Sequence, residues 1–358
     1  MAMLNFQTIS IADAIRVIQR NAMMNEVTAL LAQCGVGKTS IAHALKNKPE
    51  LNIHYVLDFN GQTRETFDIQ GIPHTIKDAD GGLVTDWAVM EEFKKIVRLA
   101  KEGKRSAIII DEFTNCNEVM LGSLQRLILE KMAGSLDLKV NGIEPVIVVC
   151  GNRPEDNSNY NEVPLAFWDR VRPYEVTADA DVTIEYAKEN NWHWLVIAYM
   201  QTNPSCINEG WMPDCLVSFT PRSAEVLSKN EEQGIPKDLE LPIIQSIMGS
   251  ERATEYVAFR RVANEIIPKE EIYNDPQKAR LPDPKRPDLS YSMVNMLSAF
   301  MKKDNATATV QYMNRWEDKD FAVLCISDAV KRDKTLYHNA DVKQFAMANM
   351  ETFSDLLV

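Results

Sequence analysis

The first half of the chain alternates short apolar runs with segments of helical periodicity, the pattern of a parallel sheet covered by helices. Apolar runs at 27–32, 53–58, 107–111 and 145–150 predict strands. The last two are nearly continuous in β-branched residues, which fits strands buried on both faces. Helices are expected from Lys38 through Ile41, Ala42 and Leu45, and from Val89 to Ala100. Between the second and third strands lies a long excursion, 59–92, punctuated by Gly61, Gly71, Pro73, Gly81 and Gly82. Inside a compact domain, a connection of that length is more often functional than decorative. Beyond about residue 176 the strand signals fade. Helices are expected over 179–201 and 222–232, with one or two more over 242–267. Five prolines between 268 and 290 predict an extended connection. A helical tail follows, with Met293, Leu297 and Phe300 on one face and a last segment at 342–357.

Composition narrows the class without naming it. A chain of 358 residues, 45% hydrophobic and 25% charged, suits a soluble protein of two or three units. No apolar run approaches the roughly 20 residues that span a bilayer. Met1 to Ile11 lacks the basic-then-apolar order of a secretory signal. The six cysteines include no CxxC pair, and the five histidines show no HxxxH or HExxH spacing. Reduced thiols in a cytoplasm are therefore expected, and no zinc site. A net charge of −12 disfavours holding nucleic acid through a whole-surface field. A local basic groove stays open, because Lys94, Lys95, Arg98, Lys101, Lys104 and Arg105 cluster around one expected helix. The plainer reading of that cluster is a solvated helix face.

Candidate chemistry begins at Ala32-Gln33-Cys34-Gly35-Val36-Gly37-Lys38-Thr39, directly after the first strand. A strand, a glycine turn and a helix start aim successive backbone N–H groups at one point, where polyphosphate binds. Gln33, Cys34, Gly35, Val36, Gly37, Lys38, Thr39 and Ser40 are the expected nucleotide-binding residues. Lys38 would reach the β- and γ-phosphates, and the Thr39 hydroxyl would hold Mg²⁺. The loop pattern normally opens with glycine, where this chain has Ala32.

The third strand ends Ile108-Ile109-Ile110-Asp111-Glu112. Asp111 is expected to help hold Mg²⁺ and Glu112 to polarise the water that attacks the γ-phosphate. The alternative is two acids facing solvent at a strand end. The fourth strand runs into Gly151-Asn152, whose amide could orient that water or simply form a turn. Arg170 is a candidate for stabilising transferring-phosphoryl charge in a neighbouring site, with Arg172 as rival and a surface pair with Asp169 as the plain reading. In Phe219-Thr220-Pro221-Arg222-Ser223, proline fits a helix start. Arg222 would either cap that helix or swing onto the γ-phosphate.

In order, AQCGVGKT (32–39), IIIDEFTN (108–115), VVCGNRPEDN (148–157), VPLAFWDRV (163–171) and FTPRSAEVL (219–227) resemble the AAA+ ATPases, most closely the MoxR-like branch. The five patches look like the Walker A loop, Walker B strand, sensor 1, arginine finger and sensor 2. Trp168-Asp169-Arg170-Val171 stands where that family usually has Leu-Asp-Arg-Phe.

The resemblance implies a P-loop NTPase fold: a three-layer αβα core with a parallel sheet, an all-helical lid and a helical C-terminal region. The core would occupy about 1–176, with a helix-2 insert at about 59–92 and a hairpin before sensor 1 at about 133–144. The lid would span 177–267, and a Pro-rich connection and helical tail 268–358. It further implies ATP and Mg²⁺ as ligands and a homo-oligomeric ring, most often a hexamer. The ring would remodel a protein client, with a von Willebrand factor A-domain protein as partner. The viral or phage-borne members of that class look most similar over 219–290. A DNA-stimulated motor or loader built on the same core is the alternative.

Overall fold

The β-branched runs form the centre of a parallel sheet. The computed structural model describes residues 7–153, 161–208, 215–263 and 265–349. The chain divides into two compact units, Met1–Ala178 and Asp179–Val358. Residues 1–6 of the N-terminal stretch, 154–157 of the segment 148–157, and 350–357 of the last expected helical segment lie outside the described residues.

The first unit opens with β1 (Thr8–Ile9), α1 (Ile11–Met23), β2 (Thr28–Leu31) and α2 (Lys38–His43). It continues through β3 (Ile53–Asn60), α3 (Thr66–Gln70), β4 (Ile72–Lys77), β5 (Leu83–Ala88) and α4 (Glu91–Lys101). Then come β6 (Arg105–Asp111), α5 (Glu118–Glu130), β7 (Met132–Ala133), β8 (Leu136–Asp137), β9 (Val146–Gly151), α6 (Leu165–Trp168) and β10 (Arg172–Val176). Six strands make one sheet in the order β1-β10-β2-β9-β6-β3, every neighbouring pair parallel. Parallel neighbours need crossover connections, and helices flank the sheet. Strands β2 and β9 are buried along their whole length, and β6 everywhere but its ends. Leu57, Phe59, Phe93, Ile108, Leu124 and Val149 belong to the core on this sheet. Because β9 lies between β2 and β6, the residues that follow these three strands come out side by side at one edge.

The four expected strands are present as β2, β3, β6 and β9, with ends shifted by a residue or two. Strands β1 and β10 were not expected. The first is two residues long, and β10 reads Arg-Pro-Tyr-Glu-Val with only Val176 buried, so neither carries an apolar run. The helix from Lys38 ends at His43, where residues Ala44–Asn47 tighten into a 3₁₀ turn. The helix expected from Val89 begins at Glu91.

The excursion 59–92 is ordered. After α3, strands β4 and β5 form an antiparallel hairpin from Ile72↔Ala88 to Lys77↔Leu83, exposed along both strands. At its tip the Asp78 carboxylate accepts the N–H groups of Asp80 and Gly82 at 3.0 and 2.6 Å. Over 132–143, β7 pairs with β8, and Val140 bridges Ile143, so the hairpin expected at 133–144 starts one residue earlier.

The described residues of the second unit form helices: α7 (Ala180–Glu189), α8 (Trp194–Thr202), α9 (Ser205–Asn208), α10 (Pro221–Gln233), α11 (Glu240–Met248) and α12 (Ser250–Ala263). They continue with α13 (Lys269–Asn274), α14 (Pro287–Phe300), α15 (Ala306–Met313), α16 (Lys319–Arg332) and α17 (Ala340–Ala348). The helix expected over 179–201 is broken at Asn191, which adopts a φ of 54°. The extended connection expected over 268–290 is shorter than its prolines imply. Pro268 caps α13 and Pro287 opens α14. A proline at a helix start loses no hydrogen bond. Met293, Met296 and Met301 are buried in the core of this unit. Among the described residues, no helix is long and apolar enough to cross a membrane.

Candidate functional site

Strand β2 runs straight into the loop 32–37. Ala32 is fully buried, its N–H donates to the Gly151 carbonyl at 3.3 Å, and it is not among the residues of positive φ. Glycine's freedom is needed further on, at Gly35 (φ 82°) and Gly37 (φ 95°), the second of which precedes α2. Alanine for the first glycine therefore costs the loop nothing in backbone geometry. Val36 is buried, and Ser40 is exposed on the first turn of α2.

Lys38 turns back over this loop. Its Nζ donates to the Ala32 carbonyl at 2.9 Å, the Gln33 carbonyl at 3.1 Å and Asn152 Oδ1 at 3.0 Å, so three donors meet three acceptors. Burial holds the Lys38 ammonium below its usual pKa, opposed by Cys34, Cys150, Glu112 and Asp111. The Cys34 thiol also lies on Asn152 Oδ1, at 3.6 Å.

Strand β6 brings the acids. Thr39 Oγ1 donates to Asp111 Oδ2 at 2.7 Å, and the other Asp111 oxygen accepts the Glu112 N–H at 3.0 Å. Glu112 leaves the strand with a left-handed φ of 57°. Its Oε2 accepts Asn152 Nδ2 at 3.2 Å and Asn115 Nδ2 at 2.5 Å. Asn152 is buried, and its own N–H donates to Thr114 Oγ1 at 3.0 Å. Gly151 packs so tightly there that a Cβ would stand 2.6 Å from Thr114 Cγ2 and 2.7 Å from the Phe113 ring. Burial and the Glu112 charge push the nearby Cys116 thiol up to about 12.

Thus Asn152 bridges Lys38 and Glu112, an arrangement that follows from β9 lying between β2 and β6. Among the described residues, no group of three or more His, Cys, Asp or Glu could hold a metal ion. The hydroxyl and carboxylate that meet at Thr39 and Asp111 suit a hard cation whose other ligands are phosphate and water, the habit of Mg²⁺.

Arg170 and Arg172, in the first unit, make other contacts. Arg170 follows α6, bonds the Ala166 carbonyl through Nη1, and buries an Nε without a partner among the described residues. No described hydrogen bond or ion pair joins it to Asp169, Lys38, Asp111 or Glu112. Arg172 pairs with Glu26 at 3.2 Å. Arg222 is exposed on the first turn of α10 in the second unit, behind a capping box of Thr220 and Ser223. Asn115 and Thr114 were not singled out from the sequence. The available signal was a short polar pair, Thr-Asn, within reach of Glu112 on the turn after the acids.

No family model matches the chain, and no curated protein does. Among solved structures, NtrX from Brucella abortus in complex with ADP is similar at a TM-score of 0.36 and 12% identity, over 97% of this chain and 68% of that one. A DNA polymerase III gamma subunit-related protein from Thermotoga maritima is similar at 0.35 and 11%, over 97% and 92%. At that level the fold rests on this chain's own strand order and loop geometry.

Proposed function

We propose that the chain is an AAA+ ATP hydrolase of the MoxR-like class, acting in the cytoplasm as a homo-oligomeric ring that remodels a protein client. The observation that carries this reading is the bridge Lys38–Asn152–Glu112 beside the Thr39–Asp111 pair. A phosphate cradle, a two-oxygen cation seat and a carboxylate held by amides are the parts phosphoryl transfer to water requires. Lys38 would exchange its carbonyl partners for phosphate oxygens, in a buried setting where its charge counts for more. Thr39 and Asp111 would hold Mg²⁺, which supplies charge neutralisation on the β- and γ-phosphates. Glu112 would take the proton of the attacking water, and Asn152 would hold that carboxylate in register with Lys38.

Arg170, with no acidic partner in its own chain among the described residues, is suited to a neighbouring subunit's γ-phosphate. Arg222 would report the nucleotide to the second unit. The exposed β4–β5 hairpin and the β7–β8 hairpin would meet the client, with a von Willebrand factor A-domain protein as the proposed partner. A DNA-driven motor is the weaker reading. Arg98 pairs with Glu91 and Lys104 with Glu102, so part of the basic cluster on and after α4 is already matched by acids.

Glu112→Gln is the direct test. It keeps the shape of the site and removes the base, so the variant should bind ATP as wild type does and lose turnover by about 100-fold or more. Full turnover in that variant would remove the assignment. Stimulation of the wild-type enzyme by DNA, with a steep salt dependence, would favour the motor instead.

A further inference from the structure

We propose that Asn115 is a positioning residue for Glu112, fixing which carboxylate oxygen faces the attacking water. The assignment rests on the hydrolase reading above and adds a residue to it.

Glu112 departs from its strand at a left-handed φ, so the strand direction does not orient its side chain. Both amides that reach it, from Asn115 and Asn152, bond the same oxygen, Oε2. No described hydrogen bond reaches Oε1, which leaves that oxygen to act on substrate. Asn152 also serves Lys38, whereas among the described residues the Asn115 amide donates to Glu112 alone.

The Asn115 amide is itself held in place. The Asn115 N–H closes a 3₁₀ turn onto the Glu112 carbonyl at 3.0 Å. The Asn115 carbonyl accepts Asn161 Nδ2 at 3.0 Å. Phe113 is fully buried, and Asn117 caps α5 through Met120.

The other end of the amide is the telling one. Asn115 Oδ1 is buried and without a hydrogen-bond partner among the described residues. A residue serving only the turn would gain nothing from an amide whose acceptor is stranded. Such orphaned groups are rare in native folds and call for a reason. Pinning Oε2 supplies one.

The test is steady-state ATP turnover by the whole chain with Mg²⁺, with the thermal midpoint of each protein, comparing wild type with Asn115→Ala and Asn115→Asp. Asn115→Ala should lower kcat by about tenfold or more while KM for ATP stays within about threefold. Asn115→Asp keeps the shape but replaces the donor with a carboxylate that repels Glu112, so kcat should again fall by about tenfold or more with KM and thermal midpoint near wild type. A merely structural residue would lose stability along with turnover.

If Asn115→Ala fails to fold, the isosteric Asn115→Asp decides alone. Wild-type kcat in a folded Asn115→Asp overturns the role of Asn115 and leaves the hydrolase standing. No turnover by the wild type, at any pH, removes the hydrolase reading and this assignment together.

Discussion

The rings of Phe113 and Phe167 stack with centroids 5.2 Å apart and planes 7° from parallel. Trp168 closes edge-on against both, at 5.8 and 6.2 Å. Phe113 directly follows Glu112, and Phe167 stands just before Arg170. Asn161 adds a polar strut, its amide bonding the carbonyls of Asn115 and Cys116 at 3.0 Å each. The turn that carries the carboxylate and the short helix before the arginine are therefore one packed block. In a ring, that block would carry the state of one nucleotide site to the arginine offered to the next.

Truncating this stack should be costly. Phe167 is fully buried, and Phe167→Ala removes one ring of the aromatic cluster together with its edge contact. A loss of about 3–5 kcal/mol is expected from chemical denaturation. A loss below about 1 kcal/mol would mean that the block collapses around the gap and is not tightly packed.

Asn152→Ala should separate binding from chemistry. It leaves one Lys38 donor and the Glu112 carboxylate without their shared amide, while the loop backbone stays as it is. Turnover is expected to fall by about 100-fold, with nucleotide affinity within a few-fold of wild type. Equal losses in kcat and affinity, read by steady-state kinetics and nucleotide titration, would place Asn152 in the ground-state complex instead.

Lys131 predicts a pH dependence. It is buried at the end of α5, adopts a φ of 58°, and donates to the Ile128 carbonyl at 2.5 Å. Burial lowers its pKa to about 8 from 10.5, with Lys139 and Arg105 acting in the same direction and Glu144 opposing. Between those two values the unfolded chain holds a proton that the folded one has released. Stability should therefore rise with pH across that window, by on the order of 3 kcal/mol at full extent. Denaturation midpoints of wild type relative to Lys131→Met check this, since the methionine variant lacks the group. Parallel profiles would mean that Lys131 titrates normally.

The parts of this fold legible in the sequence are those where burial leaves no choice. The Ile and Val runs of β6 and β9 are enclosed on both faces, and only apolar residues fit there. Strand β10 sits nearer the margin and carries arginine, proline and glutamate, so no pattern marks it. Prolines misled in the opposite direction: Pro268 and Pro287 open helices where a spacer was expected, because a missing N–H matters only past the first turn. The site divides similarly. Lys38, Asp111 and Glu112 announce themselves at strand ends, whereas Asn115 depends on a side chain turning back across a 3₁₀ turn. No periodicity encodes that contact.

Ala32 has a consequence for the chain before it folds. Its methyl group lies fully buried where the strand enters the loop, and glycine there could adopt the same backbone conformation. An alanine, however, leaves the unfolded chain fewer conformations to lose than a glycine does, a difference of roughly 0.4–1 kcal/mol. The departure that makes the motif look imperfect thus favours the closed loop entropically. What such a loop demands is two left-handed glycines and a lysine, so a pattern that insists on glycine at its first position would overlook chains of this kind.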